Sequence, residues 1–276
     1  NVLGQQQVLK KNPIGIVHAT IFWGFIVVTI GTLEQFVNTI NFNWDFQFLG
    51  STLYPALLAV QDFFTVSILF AVGYAFYRRL VLRPPGVGES RDANIILLFT
   101  GSLMISIVFM NAFHILALDP WYKNGFIFSR HFAELLASIN FSTDTAHDLS
   151  IFFKWVHMLL VLGFAMYIPN SKHLHIVTAG PNTALRKLGR EKAMTPIDFT
   201  DESLTQYGAG KVSDLSWKDA LDYYSCTECG RCQDLCPAWN TGKPLSPKRL
   251  IIDLKNNMYR NKEAMLAGKY EEVTPL

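Results

Sequence analysis

The sequence predicts an all-α protein in which a four-helix transmembrane bundle is followed by a small α-helical domain. Three observations predict this fold class: four long apolar stretches, an uneven distribution of charge, and a group of cysteines near the C-terminal end. Of the 276 residues, 50% are apolar and 17% are charged, whereas an ordinary soluble domain carries about 25% charged residues. Apolar residues concentrate in 13–170 and charged residues in 171–276, which predicts one region in lipid and one in water.

Each of the four apolar stretches is long enough to cross a bilayer, which takes about 20 residues of α-helix. A buried helix of a soluble core could explain one such stretch, but four in succession favour membrane spans. The predicted spans cover 14–38, 53–77, 93–118 and 149–170. The predicted domains are a membrane domain over 1–178, a linker over 179–212 and a domain in water over 213–276.

Basic residues alternate between the connections and therefore predict an orientation in the membrane. Lys10 and Lys11 precede the first span, the connection 39–50 has no Lys or Arg, and arginines crowd the connection after the second span. This alternation places the N-terminus and the C-terminal region in the cytoplasm, in a multi-pass protein of the cytoplasmic (inner) membrane. The formal net charge of +2 is too small to indicate nucleic acid binding.

The four cysteines lie within eleven residues, with the spacing C-x2-C-x2-C-x3-C-P. They are Cys226, Cys229, Cys232 and Cys236, followed by Pro237. Three thiolates this close can bind one [4Fe–4S] cluster, and in two-cluster ferredoxins the fourth cysteine ligates the other cluster. Structural zinc usually takes two CxxC pairs separated by a dozen or more residues, so the spacing favours iron–sulfur. Cys236 either closes a single cluster or serves a second one completed beyond Leu276, and we expect the chain to be a fragment.

Two short helices are predicted on either side of the cysteine loop. Ser216 and Asp219 have the spacing of a capping box before a helix that begins at Trp217. Ser246 followed by Pro247 is a start signal for a second helix. The apolar face of this second helix would consist of Leu250, Ile251, Leu254 and Met258.

Histidines within the predicted spans are candidate haem ligands, because ionisable groups in lipid are costly and bundles hold cofactors between facing helices. His175 follows His157 by 18 residues, which is five turns of an α-helix. One continuous helix would carry both on one face about 27 Å apart, and two stacked haems at that separation would bridge a hydrocarbon core of about 30 Å. His18 lies at the depth of His175 and is its predicted partner.

Three histidines are candidate partners of His157. His114, near the outer end of the third span, matches its depth, whereas His131 and His147 are alternatives in the connection. An interfacial role is the ordinary alternative for any of these histidines, and it is our interpretation of His173.

Four other polar or small positions lie within the spans. Asp62 could relay protons to a quinone or pair with Lys154 at the same depth. Glu34 is expected to be interfacial. Gly24 and Gly31 would allow the close approach of either a flat macrocycle or a neighbouring helix.

The segment KWVHMLLVLGFAMYIPNSKHLHI, residues 154–176, resembles the last helix of the respiratory nitrate reductase gamma subunit family. That resemblance covers about 13–178 and implies two b-type haems. It implies that His157 holds the outer haem and that His175 and His18 hold the inner haem. The sequence departs from the family at Val28, where a second histidine ten residues after His18 would stand. His114 as the outer partner is therefore an inference from depth.

A second resemblance covers about 206–258, where WKDALDYYSCTECGRCQDLCPA and TGKPLSPK look like the iron–sulfur region of heterodisulfide reductase and glycolate oxidase type subunits. The fusion of both parts resembles membrane iron–sulfur oxidoreductases that link electron transfer flavoprotein to menaquinone. In that family a second cysteine motif and cysteine-rich catalytic domains follow, so a further domain or subunit is implied.

Together these features predict a haem-binding bundle and a ferredoxin-like domain that transfer electrons between a quinone pool and a soluble partner. The resemblance implies menaquinone in the lipid and electron transfer flavoprotein in the cytoplasm. Two alternatives stay open: a heterodisulfide reductase-like membrane subunit, and a membrane anchor or transport module with a redox-sensing cluster.

Overall fold

A computed structural model describes residues 2–40, 44–84, 90–186, 199–200, 203 and 207–276. Over these ranges the chain forms helices and no β-strand, with an isolated antiparallel bridge between Lys211 and Pro275. The predicted all-α fold class is therefore confirmed. The chain divides into two compact units, Leu3–Tyr167 and Ile168–Leu276, and each has its own apolar core.

The first unit is a bundle of long apolar helices. Its helices are α1 (Ile14–Ile40), α2 (Gly50–Tyr77), α3 (Arg91–Leu118), the shorter α4 (Phe128–Ala137) and α5 (Thr143–Tyr167). The segments long and apolar enough to cross a membrane are Ile14–Ile40, Phe46–Leu82, Arg91–Leu118 and Thr143–Asn170. The four predicted helices are thus confirmed by length and composition, and the chain is a multi-pass membrane protein.

Within the first unit, α3 packs against α2, α4 and α5, while α1 packs against α2. Small residues allow these close approaches: Ala112 on α3 is 0% exposed and Ala133 on α4 is 1% exposed. Aromatic side chains fill the space between α3 and α5, where the rings of Phe109 and Phe153 stack with centroids 4.9 Å apart. These contacts hold α5, which carries His157, in a defined position against α3.

Helix α4 lies in the connection 119–148, where the sequence signals predicted no helix. Its residues Ala133 and Leu136 are buried in the core of the first unit, and Phe132 packs against that core. The spacing of these three residues is that of one helix face. An amphipathic helix of ten residues, about three turns, is easily overlooked between two much longer apolar stretches, because it is too short to span a bilayer.

The continuous helix predicted to carry both His157 and His175 is wrong. Helix α5 ends at Tyr167, and two 3₁₀ turns follow before α6 (His175–Ala184) begins. Pro169 lies in the first of these turns, and a proline supplies no backbone N–H for the helical ladder. The 27 Å separation expected from one straight helix therefore does not apply.

The second unit surrounds the cysteine loop with two helices, α7 (Trp217–Tyr224) and α8 (Pro247–Leu266), which pack against each other. The predicted capping box of Ser216 and Asp219 is confirmed at the start of α7. The predicted start of α8 is also confirmed, because the Ser246 hydroxyl accepts the Arg249 N–H at 3.2 Å. Val212, Met258 and Val273 form the core of this unit.

Two expectations for the second unit need correction. Leu250 was expected on the apolar face of α8, but it is 53% exposed. Helix α6 extends to Ala184, into the range 179–212 that was expected to be a linker. Pro181 lies inside α6, where a proline removes one backbone donor without always ending the helix. Most of the range 187–206 lies outside the described residues.

Candidate cofactor sites

A polar cavity of about 390 Å³ lies inside the first unit, in the half of the bundle where α1 ends and α2 begins. Ligand sites in proteins commonly have volumes of about 300–1,000 Å³. The cavity is lined by three residues selected from the sequence as site residues, Asp62, His114 and His157, and by Lys154. Its other polar side chains include Thr32, Glu34, Gln35, Asn38, Gln61 and Asn111.

His157 on α5 is 1% exposed and lines the cavity. One ring nitrogen, Nδ1, lies 3.0 Å from the Ser106 hydroxyl of α3. The other, Nε2, lies 3.5 Å from the Thr32 hydroxyl of α1, at the long limit of a hydrogen bond. The imidazole is therefore held firmly on its Nδ1 side and loosely on its Nε2 side, which suits a ligand that binds at Nε2.

His114 on α3 lines the same cavity, as its predicted pairing with His157 requires, but its Nε2 lies 3.0 Å from the Tyr122 hydroxyl. Burial, with smaller contributions from Asp45 and Glu34, raises the pKa of Tyr122 to about 12. The phenol therefore keeps its proton at neutral pH and can donate it to His114. Coordination of a metal through this nitrogen would require Tyr122 to release the hydrogen bond.

Asp62 on α2 is 2% exposed and caps the N-terminus of α4. Its carboxylate accepts hydrogen bonds from the backbone N–H of Phe128, from the backbone N–H of Ser129 at 3.1 Å, and from the Ser129 hydroxyl. The alternative pairing with Lys154 is not formed, because Lys154 Nζ donates to Asn38 Oδ1 at 2.8 Å. The contacts of Asp62 are thus those of a structural cap.

Glu34 was expected to be interfacial, but the structure buries it in the wall of the cavity. It is 9% exposed, and its Oε1 accepts hydrogen bonds from the Phe46 N–H at 2.6 Å and the Tyr54 hydroxyl at 3.2 Å. A signal for this position exists in the sequence. Gln35 and Asn38 follow on the same face of α1, and a polar face inside an apolar span indicates a polar interior.

The two glycines of α1 allow α2 to approach closely. A Cβ at Gly24 would lie 2.8 Å from Ile68 Cδ1, and a Cβ at Gly31 would lie 2.8 Å from Gln61 Oε1. Of the two interpretations kept open, close helix packing accounts for Gly24. Gly31 also lines the cavity, so it contributes to the shape of the site as well.

The predicted inner ligands lie in different units of the structure. His18 is an exposed residue of α1 in the first unit, whereas His175 is a half-buried residue at the start of α6 in the second. His175 Nδ1 lies 2.8 Å from the Lys172 carbonyl oxygen. A carbonyl only accepts, so Nδ1 carries the proton and Nε2 keeps its lone pair. Burial lowers the pKa of His175, which favours this neutral form, and the pairing with His18 stays a prediction.

The cysteine loop connects α7 to α8 and contains four free thiols. Cys229 and Cys232 are exposed, whereas Cys226 and Cys236 are half-buried. Glu228 adopts a φ of 57° and Gly230 a φ of 80°, so the chain takes left-handed conformations immediately before and after Cys229. The Glu228 carboxylate also accepts from Lys172 Nζ at 2.6 Å, which ties the loop to the turn preceding α6.

The thiol pKa values of the first two cysteines are shifted in opposite directions. Burial raises the pKa of the Cys226 thiol. Burial acts in the same direction on Cys229, but the backbone N–H and guanidinium of Arg231 outweigh it and lower the pKa of that thiol. Arg231 Nε lies 3.4 Å from Cys229 Sγ. No three His, Cys, Asp or Glu side chains converge as a metal site within the described ranges. The donor set, four unoxidised thiols with this spacing, is nevertheless the one that iron–sulfur clusters use.

Known proteins similar to this chain are iron–sulfur and quinone-linked redox proteins by name. Over 260 residues, 94% of the chain, it is 35% identical to the "Probable iron-sulfur-binding oxidoreductase FadF" of Bacillus subtilis, covering 36% of that protein. Over 279 residues, 96% of the chain, it is 28% identical to the "EtfAB:quinone oxidoreductase" of Syntrophomonas wolfei, covering 38% of it. The chain therefore spans little more than a third of the length of these two relatives.

A shorter similarity concerns a third protein, the "Probable membrane-anchored ferredoxin" of Chromohalobacter salexigens. The identity is 35% over 80 residues, which are 29% of this chain and 12% of that protein. No protein-family model matches the chain, and no solved structure matches it.

Proposed function

We propose that this chain is the membrane part of a quinone-linked iron–sulfur oxidoreductase, which transfers electrons between a quinone pool and a soluble redox partner. The observation that carries the proposal is the polar cavity inside the first unit, which gathers His114 and His157 within a bundle of membrane-length helices. The cysteine spacing C-x2-C-x2-C-x3-C-P in the second unit supports the iron–sulfur half of the proposal.

The residues are suited to two kinds of cofactor. His157, with His114 as its candidate partner, would hold one b-type haem, and His175 with His18 would hold another. Bound haem and iron–sulfur supply one-electron redox chemistry, while the protein supplies ligation, spacing and dielectric. The residues that would bind a [4Fe–4S] cluster, alone or with ligands from outside this chain, are Cys226, Cys229, Cys232 and Cys236.

Polar groups of the cavity would also serve a quinone. Lys154 and Asn38 form a hydrogen-bonded pair in its wall and could bind a quinone oxygen. Asp62 stays a candidate for proton exchange with a quinone because it lines the cavity, although its hydrogen bonds to α4 favour the capping role. Menaquinone is the quinone that the family resemblance implies.

The relatives support the choice of partners. The protein named EtfAB:quinone oxidoreductase supports electron transfer flavoprotein as the soluble partner and a quinone in the lipid. Both longer relatives extend well past the matched region, so we propose that a further iron–sulfur or catalytic domain or subunit completes the enzyme. The proposed location is the cytoplasmic membrane, with the cysteine loop on the cytoplasmic side.

The visible spectrum of the purified, dithionite-reduced protein tests the haem half of the proposal. We expect the α-band of b-type haem, and its absence would remove the relay through the membrane. His175→Ala should lose one haem and leave the iron–sulfur signal in electron paramagnetic resonance unchanged, because the two cofactors share no ligand. His131→Ala is the matched control, because His131 is exposed, pairs with Glu134 and is not among the described residues that line the cavity around His157. Survival of both haem signals in His175→Ala would make the assignment wrong.

A second candidate function is a membrane-anchored iron–sulfur carrier without haem, which the similarity to a membrane-anchored ferredoxin favours. Such a carrier would show the iron–sulfur signal and no α-band. Activity assays distinguish a heterodisulfide reductase-like subunit from the quinone-linked oxidoreductase of the main proposal. Reduced flavoprotein should drive quinone reduction if the main proposal holds, whereas thiol-dependent reduction would favour the heterodisulfide reductase type.

A further inference from the structure

Ser106 on α3 and His157 on α5 form a hydrogen-bonded pair at the wall of the cavity. From this pair we infer that Ser106 is a positioning residue for His157. It holds the imidazole as the tautomer protonated at Nδ1, so that Nε2 offers its lone pair to a metal in the cavity. The identity of that metal as haem iron rests on the proposed function, but the tautomer itself does not.

The Leu103 carbonyl oxygen fixes the direction of the Ser106 hydrogen bonds. Ser106 is 2% exposed, and its hydroxyl lies 2.7 Å from the Leu103 carbonyl oxygen. A carbonyl oxygen accepts and never donates, so the single hydroxyl proton of Ser106 is used in this bond. The Ser106 oxygen therefore presents lone pairs to His157 Nδ1 at 3.0 Å, and Nδ1 must be the donor.

On the opposite side of the His157 ring, Nε2 faces the Thr32 hydroxyl. The Thr32 hydroxyl lies 3.3 Å from the Val28 carbonyl oxygen, so it too is placed to accept rather than donate. A neutral imidazole has one N–H, and the contact at 3.0 Å is the better hydrogen bond than the one at 3.5 Å. An imidazolium could donate to both hydroxyls, but burying a charged group that is 1% exposed is costly, and the carboxylates of the cavity wall, Glu34 and Asp62, accept from other donors.

This tautomer leaves Nε2 of His157 as the nitrogen that can bind a metal. Nε2 is left as an electron-pair donor that faces an acceptor oxygen at a long distance, on the side where Thr32 lines the cavity. Metal-binding histidines almost always donate their other ring N–H to an oxygen, which fixes the tautomer and raises the basicity of the ligating nitrogen. His175 shows the same arrangement independently, with Lys172 supplying the carbonyl. At His157 the Ser106 oxygen supplies the acceptor at 3.0 Å from Nδ1, beside the Leu103 carbonyl oxygen, which also interacts with the ring.

The tautomer can be measured without haem. The full chain, labelled with ¹⁵N-histidine and purified from haem-limited cells, should give a His157 resonance pair with Nδ1 protonated, and His157→Gln identifies that pair. Ser106→Ala should shift the population towards the Nε2-protonated form, whereas Ser106→Thr, which keeps a hydroxyl, should preserve it. An Nε2-protonated wild type, or no response to Ser106→Ala, would overturn the inference.

The consequence for ligation is measured in the haem-loaded protein. Ser106→Ala should weaken the retention of one haem about 10- to 100-fold and move its midpoint potential to a more positive value, because a less basic imidazole stabilises the oxidised iron less. Ser102→Ala, the same change about one turn away on α3, should leave both quantities unchanged. If the wild type binds haem and Ser106→Ala changes neither haem retention nor the midpoint potential, the effect of Ser106 on ligation is refuted, but the tautomer is not. A wild type without haem would refute the proposed function, and the ¹⁵N spectrum would still decide the tautomer.

Discussion

Two carboxylates inside the bundle, Asp62 and Glu34, are 2% and 9% exposed, and each is matched by donors from neighbouring segments. Burial of an unpaired charge is costly, so these carboxylates persist because backbone N–H and hydroxyl groups solvate them. Asp62 binds the first turn of α4, and Glu34 binds the connection that leads into α2. These two buried carboxyl groups therefore hold the start of α4 and the connection before α2 against the bundle.

Asp62→Ala should lower the free energy of unfolding by about 1–3 kcal/mol, because it leaves buried donors of α4 without an acceptor. Chemical denaturation in detergent, followed by tryptophan fluorescence, measures this loss. Asp148→Ala, at an exposed position, should change the stability by no more than about 0.5 kcal/mol. An Asp62→Asn variant with unchanged stability and no quinone reduction would contradict the capping role and favour proton exchange.

At the scale of helices, the approach of α1 to α2 depends on a missing side chain. A Cβ at Gly24 would lie 2.8 Å from Ile68, and Ile68 is 1% exposed and has little room to move. At Gly101 of α3 the nearest atom to a Cβ would be Val72 Cγ1 at 3.5 Å, an ordinary contact. These two glycines lie in long apolar helices but differ in what a methyl group would meet.

Gly24→Ala should destabilise the bundle by about 1–3 kcal/mol through overpacking, partly offset by the better helix propensity of alanine. Gly101→Ala should be neutral or stabilising by up to about 1 kcal/mol. Thermal unfolding of both variants under identical detergent conditions gives the comparison. Equal effects at the two positions would show that α1 does not pack on α2 as closely as described.

The end of α5 at Tyr167 also matters at this scale. Because two 3₁₀ turns separate α5 from α6, the position of His175 is set by these turns and not by the axis of α5. The distance between two haems therefore cannot be derived from the helical repeat. The hydrogen bond from His175 to the Lys172 carbonyl is itself formed by the second of these turns.

For the whole molecule, the distribution of basic residues predicts how the bundle lies in the membrane. Arg78, Arg79 and Arg83 follow the α2 helix, whereas the connection at the opposite end of α3 carries Lys123 and Arg130 among several acids. The positive-inside rule then places the α2–α3 connection in the cytoplasm. The cavity with His114 and His157 would lie towards the outer surface.

Insertion of alkaline phosphatase, which is active only after export, tests this orientation. An insertion after Lys123 should be active, and an insertion after Arg83 should be inactive. A fusion after Leu276 should also be inactive, because the second unit is predicted to be cytoplasmic. Blotting of the fusion proteins controls for expression, and the reverse pattern of activity would contradict the orientation.

Local signals in the sequence were sufficient for several features. Four apolar stretches predicted the four long helices, because the length needed to span a bilayer is a property of the chain alone. Ser216, Asp219 and Ser246 predicted helix starts correctly, since a capping side chain bonds to a backbone group three residues away. The cysteine spacing indicates its ligand chemistry for the same reason.

Features that depend on distant residues were missed or remained open. Asp62 and the α4 N–H groups that it caps are 66 and 67 residues apart in the chain, so no local pattern connects them. The continuous helix expected from His157 to His175 contains Pro169, and the structure instead ends α5 at Tyr167. Glu34 was expected at the membrane interface, but the structure buries it, and the Phe46 N–H and the Tyr54 hydroxyl donate to its carboxylate.

Local sequence patterns were enough to predict the fold class, the four membrane-length helices and the spacing of the thiols, because each of these depends on residues close together along the chain. The three-dimensional packing was needed to find which histidines share a cavity and which groups bind Asp62, and it carries the inference that Nε2 of His157 keeps its lone pair. Those properties depend on Ser106, Thr32, Tyr122 and Ser129, which lie in other segments of the chain than the residues they contact. Their positions follow from packing, which no local sequence pattern specifies.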